Sequence, residues 1–151
     1  MDQQAVERES LKEEMSDVIG EARMVIPGAQ ALFGFQTMAV FNQRFEELPQ
    51  SGLICYLLGL GLLALSIALL LTPAAYHRIA HGGKVSIHMV RMSSRFISAG
   101  MAPLMLSLAL DIYVVCLAAL DDARIAIVAA VLAFAVFCWF WFLFPLMRRH
   151  R

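Results

Sequence analysis

Four long apolar segments occupy most of the chain and leave little room for any other kind of structure. They cover residues 24–41, 52–72, 96–120 and 123–147. An α-helix rises about 1.5 Å per residue, so roughly 20 residues cross the ~30 Å hydrocarbon core of a bilayer. The sequence therefore predicts an all-α integral membrane protein, a four-helix bundle whose transmembrane domain covers residues 24–147.

Composition supports this assignment, because 60% of the residues are hydrophobic and only 16% are charged. Soluble domains of this length carry more charge. The charged residues that remain are concentrated in the tails and in the connections between segments. We expect a lipid bilayer as the surroundings and no nucleic-acid partner.

The basic residues indicate how the chain is oriented. With four spans, both tails and the middle connection share one side, and only Arg44 and Arg124 of the twelve Lys and Arg residues fall on the other. Basic residues are retained on the cytoplasmic side of a membrane. We therefore expect both termini in the cytoplasm, with residues 148–151 as a basic tail.

Two charged rows lie on the expected cytoplasmic side. Residues 1–23 predict an acidic amphipathic helix that leads into the first span. The acidic row is Glu9, Glu13, Asp17 and Glu21, and the basic row is Lys84, His88, Arg91 and Arg95. Two interpretations remain open: the rows are solvated separately, or they dock within a protomer or between protomers. Exposed pairs of this kind contribute only ~0.2–1 kcal/mol each.

Asp111 is the most unusual residue, because it lies within the third apolar segment. A charged acid facing lipid costs at least a few kcal/mol, so Asp111 should face protein or water, or carry a proton. Ser107 lies one turn earlier, and Gln36 and Arg44 lie at the outer end of the first segment. These four residues form our candidate intramembrane polar site. It is either a proton- or cation-binding site or a structural acid satisfied by its neighbours.

Small residues and prolines suggest how the helices pack. We expect close-packed seams at Gly28 and Gly34, at Ala64 and Ala68, and at Ser98 and Ala102, since small residues let membrane helices approach. Pro27 is expected in the first turn of its helix. Pro103 should kink its helix or free a carbonyl group.

No catalytic or cofactor pattern is recognisable. His77 and His81 are four apart, but Gly82 and Gly83 separate them from His88 and no cysteine is near, which argues against a zinc site. No nucleophile–base pair or phosphate-binding loop is present either. We predict that the chain is not an enzyme and binds no metal or other cofactor.

Several short segments resemble a family of small bacterial membrane proteins known as domain of unknown function 6328. The resemblance covers about residues 18–120. It is carried most distinctively by Thr72-Pro73-Ala74-Ala75-Tyr76-His77-Arg78. The other matching residues are 21–23, Gly28, Gln30, Leu32, Phe33, Phe35, 41–45, Leu48, 93–95 and Gly100. The resemblance implies a four-span bundle in a bacterial cytoplasmic membrane, and it implies no activity, cofactor or catalytic residue.

Three functional hypotheses follow, and the third, a membrane enzyme, is disfavoured because no nucleophile–base pair, metal set or phosphate-binding loop is recognisable. The first is a non-enzymatic membrane protein that self-assembles or is a subunit or accessory of a membrane complex. It is motivated by the compact bundle, the small-residue seams and the opposed charged rows. The alternative is a small ion channel or proton-coupled carrier that uses Asp111.

Overall fold

The computed structural model describes residues 3–80 and 87–149, and within them every regular element is helical. Short connections at residues 40–42, 47–49 and 121–122 join consecutive helices, and one short helix follows the first long one. The helices are α1 (Gln3–Ala39), α2 (Gln43–Glu46), α3 (Gln50–Ala80), α4 (Ile87–Leu120), α5 (Ala123–Cys138), a π-helical segment (Trp139–Leu143) and α6 (Phe144–Arg149). The all-α bundle predicted from the sequence is confirmed.

Three helical segments are long and apolar enough to cross a membrane, and the third consists of α5, the π-helical segment and α6 together. Among the described residues, the qualifying segments are Gln50–Tyr76, Ile87–Leu120 and Ala123–Arg148. The predicted segments 52–72, 96–120 and 123–147 lie within them. The segment 24–41 does not qualify, because Gln30, Gln36 and Thr37 interrupt its apolar sequence and the helix ends at Ala39.

The pair formed by α3 and α4 is the centre of the fold. The buried positions of α3 repeat every three and four residues, which is the spacing of a packed helical seam. They are Gly52, Tyr56, Gly59, Leu63, Ser66, Leu70 and Pro73. The expected seam residues Ala64, Ala68 and Ser98 are exposed, so that part of the prediction was wrong. The heptad spacing places them away from the seam.

Two serine–glycine hydrogen bonds connect α3 and α4 in a reciprocal way. Ser66 Oγ of α3 donates to the Gly100 carbonyl at 2.8 Å, and Ser107 Oγ of α4 donates to the Gly59 carbonyl at 2.9 Å. Both serines are fully buried. Each helix thus presents a glycine and, two turns later, a serine, and the absence of a side chain at the glycine exposes its carbonyl to the partner.

Pro103 lies one turn after Gly100, within an otherwise continuous α4. A proline inside a helix removes one backbone hydrogen bond and crowds the carbonyl groups of the preceding turn. The Ser66 hydroxyl bonds to a carbonyl group of that turn. Side-chain hydroxyls of neighbouring helices are a usual way of stabilising proline-containing helices in membranes.

The first helix, α1, lies along the α3–α4 pair over most of its length. Met15 packs with Met89 and Val90 at one end, and Ala29 packs with Leu63 and Leu104 further along. From Met15 to Gln36 the helix covers about 30 Å, the thickness of a hydrocarbon core. The helix therefore runs beside the apolar helices over most of its length, although it is less apolar than they are.

Two expectations about α1 were wrong. Pro27 lies inside the helix, not in its first turn, because the amphipathic segment and the first apolar segment form one continuous helix. Gly28 and Gly34 do not lie in a seam within the protomer. Both are exposed, and a Cβ atom at either position would meet nothing within 4 Å.

The last helical segment packs against α4 at the edge of the bundle. It follows a tight connection in which Asp121 has φ of 51° and the Asp122 carboxylate caps α5 by accepting from the backbone N–H of Arg124 at 2.8 Å. Ala126 is its fully buried residue. Before Pro145 the helix widens into the π-helical segment, where the Phe144 N–H bonds to the Trp139 carbonyl.

Candidate functional site

The candidate polar site lies between α1, α3 and α4, near the end of α1. The Gln36 side chain of α1 donates from Nε2 to both carboxylate oxygens of Asp111 on α4. Asp111 lies nine residues before the end of α4, about 13 Å along the helix axis. The acid is partly buried, and its partner is an uncharged amide.

Ser107 lies one turn before Asp111 and links all three helices. Its hydroxyl accepts from Gln36 Nε2 at 3.3 Å and donates to the Gly59 carbonyl at 2.9 Å. A Cβ atom at Gly59 would lie 3.3 Å from Asp111 Oδ1, so glycine provides the space that the carboxylate occupies. The polar site is therefore continuous with the α3–α4 seam.

Tyr56 of α3 lies at the edge of the site and contacts α1. Its hydroxyl donates to the Gln36 backbone carbonyl at 2.5 Å, and its ring packs edge-on against Phe45 with centroids 4.8 Å apart. Tyr56 is 3% exposed and Gln36 is 7% exposed. The tyrosine thus holds α1 near its C-terminus, where Gln36 must be positioned to reach Asp111.

One polar atom of the site has no partner. Gln36 Oε1 is buried and, within the described part of the chain, accepts no hydrogen bond. An ionised carboxylate has no hydrogen to donate to it. A protonated Asp111 would donate a hydrogen bond to this oxygen. Alternatively, a cation between the two side chains would be coordinated by it. The arrangement is that of a partly buried acid beside a buried amide, which could hold a proton or a small cation.

The structure brings together Gln36, Ser107 and Asp111, three of the four residues predicted for this site. The side chain of Arg44, the fourth, lies outside the described residues. Thr37 is exposed, and its hydroxyl donates to the Gly34 carbonyl of its own helix at 2.9 Å. Gln36 and Thr37 are adjacent but point to different sides of α1, and only Gln36 faces Asp111.

Sequence reasoning missed the contribution of α3, which supplies Tyr56 and Gly59. A signal for it is present: α3 and α4 both contain glycine followed seven residues later by serine, at Gly59–Ser66 and Gly100–Ser107. Two membrane segments with the same spacing can pair antiparallel so that each serine reaches the other's glycine. The third segment's Ser107 was considered only as a neighbour of Asp111.

The described side chains of the two charged rows are exposed. Glu13, Asp17 and Glu21 lie on α1, and the basic residues His88, Arg91 and Arg95 lie on α4. No ion pair joins these six side chains in the described structure. The side chain of Glu9 and the whole of Lys84 lie outside the described residues. Helices α1 and α4 meet at this end through Met15, Met89 and Val90.

Metal binding gains no support from the described side chains. Within residues 3–80 and 87–149, no group of three His, Cys, Asp or Glu side chains is placed to hold a metal ion. The side chain of His77 and the whole of His81 lie outside the described residues, so the zinc pattern considered above is not tested. Cys55, Cys116 and Cys138 are free.

Comparison with known proteins gives one match. The model of a family of unknown function, DUF6328, matches residues 4–145, which is nearly the whole chain and more than the 18–120 expected from the sequence motifs. No curated protein and no solved structure matches the chain. The family match and the apolar helices agree with a membrane protein and assign no activity.

Proposed function

We propose that this chain, which belongs to the DUF6328 family of unknown function, is a non-enzymatic membrane protein that assembles with a second copy of itself or with another membrane subunit. The non-enzymatic part of the proposal rests on the sequence, which contains no recognisable nucleophile–base pair or phosphate-binding loop. The assembly part rests on one face of α1.

The argument for assembly depends on Gln30. The preceding residue, Ala29, packs with Leu63 and Leu104, which lie near the middle of the two apolar segments Gln50–Tyr76 and Ile87–Leu120. Gln30 is therefore at the level of the bilayer centre. Its side chain is exposed, and the described structure contains no hydrogen bond to its amide. An amide in hydrocarbon without a hydrogen bond costs several kcal/mol.

The neighbours of Gln30 suit the approach of a second helix. Gly34 lies one turn further along the same face, and a Cβ atom there would meet nothing within 4 Å. Thr37 follows on that face with its hydroxyl bonded to its own helix. A small residue beside a polar one is the combination that associates membrane helices, because the backbones approach closely and the amide finds a partner.

Measurement of oligomeric mass against protein concentration in detergent tests the proposal. We expect Gln30→Leu and Gly34→Ile to weaken association about three- to tenfold each, the effect of losing one interhelical hydrogen bond or one close contact in a membrane. Gly61→Ile is the matched control, since Gly61 of α3 is also exposed with open space around it. A native chain that stays monomeric at every concentration and co-purifies with no partner would contradict the proposal.

A second candidate function uses the polar site as a proton or cation pathway. It is favoured by the unpartnered Gln36 Oε1 beside the partly buried Asp111 carboxylate. Flux of protons, potassium and chloride into proteoliposomes would test it, with native protein and Asp111→Asn at equal incorporation. Flux that the substitution abolishes in a folded protein would favour transport. Absence of flux under every imposed gradient would leave the acid with a structural role.

We propose the orientation of the chain on the distribution of its basic residues. Both termini would lie in the cytoplasm of a bacterium, with α1 as a fourth crossing beside the three apolar helices. The ten basic residues on one side support this, as does the ~30 Å over which α1 lies along α3 and α4. Labelling of single cysteines from each side, in a cysteine-free variant, would test it. Labelling of the two termini from opposite sides would exclude it.

A further inference from the structure

A groove of about 410 Å³ lies between α1 and α3, with Ile97 of α4 contributing to its wall. Its walls are mainly apolar and include Val18, Ile26 and Leu70. Two arginines, Arg23 of α1 and Arg78 of α3, also line it. The groove is separate from the polar site and from the Gln30 face, so it supports an inference that does not depend on how the chain assembles.

Arg23 lies deep for a charged residue. It precedes Ala29 by six residues, so its Cα atom lies about 9 Å along the helix from the level of the bilayer centre. The hydrocarbon core extends about 15 Å from that centre. Arg23 is exposed, and the described structure contains no ion pair with it. A guanidinium carried by a backbone at this depth must extend toward the membrane surface, where anionic headgroups can pair with it.

The directions of the two helices favour convergence of the Arg23 and Arg78 side chains, which both line the groove. Helices α1 and α3 are antiparallel, because Met15 lies near Tyr76 while Gln36 contacts Tyr56. Side chains on a helix lean toward its N-terminus. Arg23 therefore leans toward the membrane surface and Arg78 leans back toward the core. We therefore expect their positively charged ends to converge beside the apolar wall.

We propose that this groove binds an anionic phospholipid from the surrounding leaflet. The phosphate accepts hydrogen bonds from the guanidinium groups of Arg23 and Arg78, a geometry that suits arginine. An acyl chain packs along Val18, Ile19 and Ile26, whose side chains are accessible in the groove. Basic pockets between membrane helices bind anionic headgroups in this way. A free phosphate ion would use the arginines but would gain nothing from the apolar wall, whereas a phospholipid uses both.

Native mass spectrometry of the full chain would test the proposal, with phosphatidylglycerol and phosphatidylcholine of identical acyl chains as probes. We expect the native protein to retain phosphatidylglycerol and to prefer it at least tenfold. Arg23→Gln and Arg78→Gln should each reduce that preference several-fold. Arg91→Gln and Arg95→Gln are matched controls, since both arginines are exposed on α4 at the same end of the bundle and neither lines the groove.

A further variant separates the groove from general surface charge. Ala74 lines the groove and is exposed, so Ala74→Trp should fill the space while both arginines remain. We expect this variant to lose phosphatidylglycerol, and we expect inorganic phosphate at millimolar concentration not to displace the lipid from the native protein. Equal losses in the groove and control variants, lipid retention by Ala74→Trp, or displacement by phosphate would each overturn the proposal.

Discussion

Gly100 of α4 and Leu70 of α3 are so close that no other residue fits at position 100 without movement. A Cβ atom at Gly100 would lie 3.1 Å from Leu70 Cγ, 3.3 Å from its Cδ2 and 3.4 Å from Leu69 Cβ. Leu70 is 1% exposed, so its side chain is enclosed by neighbours except toward the groove that it lines. The contact keeps α3 and α4 near enough for Ser66 to reach the Gly100 carbonyl.

Gly100→Ala should therefore destabilise the protein by about 1–3 kcal/mol, the usual cost of overpacking a core. The better helix propensity of alanine offsets only ~0.5–1 kcal/mol of that cost. Gly61→Ala is the control, because Gly61 is in open space and gains the propensity without a clash. Unfolding in detergent micelles, followed by circular dichroism, would compare them. Equal stability of the two variants would show that Leu70 can move aside.

The two interhelical serines should contribute unequally to stability. Ser66→Ala removes one hydrogen bond, whereas Ser107→Ala removes the bond to Gly59 and the acceptor for Gln36. Interhelical hydrogen bonds in membranes contribute ~0.6 kcal/mol on average and at most ~1.7 kcal/mol. We expect Ser107→Ala to lower the free energy of unfolding more than Ser66→Ala does. Ser98→Ala, at an exposed position of α4, should change nothing measurable.

Asp111→Asn should raise stability by about 1 kcal/mol, the contribution of one additional hydrogen bond. The asparagine amide can accept from Gln36 Nε2 and also donate to Gln36 Oε1, which has no partner beside the carboxylate. Asp111→Leu should lower stability, because it leaves the buried Gln36 amide with fewer partners. The thermal midpoints of the two variants in micelles are the measurement. A lower midpoint for Asp111→Asn would indicate that the negative charge itself stabilises the site.

The carboxylate of Asp122 should stabilise the start of the last helix. It accepts hydrogen bonds from the backbone N–H groups of Arg124 and Ile125 at 2.8 and 3.4 Å. Asp122→Ala should cost about 0.5–2 kcal/mol, and Asp122→Ser should recover most of that loss. Hydrogen exchange of the first turn of α5 would report the effect locally. If serine and alanine gave the same exchange rates, the cap would have no role.

The sequence was sufficient to predict the positions of the apolar helices, because length and composition decide them. Segments 52–72, 96–120 and 123–147 all lie within observed helices. The two-residue connection at Asp121 and Asp122 was also predictable, since so short a turn forces antiparallel neighbours. These features depend on local sequence alone.

The packing partners could not be predicted in the same way. Gln30 and Gln36 are both glutamines in α1, and only the position of that helix against α3 and α4 decides that one is exposed and the other buried. Likewise, Gly34 and Gly59 are both glycines in apolar helices, but only Gly59 lies in a seam. Such choices depend on the rotation of each helix, and small residues occur on several faces.

The reciprocal serine–glycine hydrogen bonds distinguish the α3–α4 pair, which they hold together, from α1 and the last helix, which they do not restrain. The two bonds join α3 and α4 at points about 10 Å apart along the helices, since each serine is seven residues from its own helix's glycine. Two attachment points oppose sliding of one helix along the other and also oppose rotation of one helix across the other. We therefore expect a large conformational change to keep α3 and α4 together and to move α1 or the last helix relative to them.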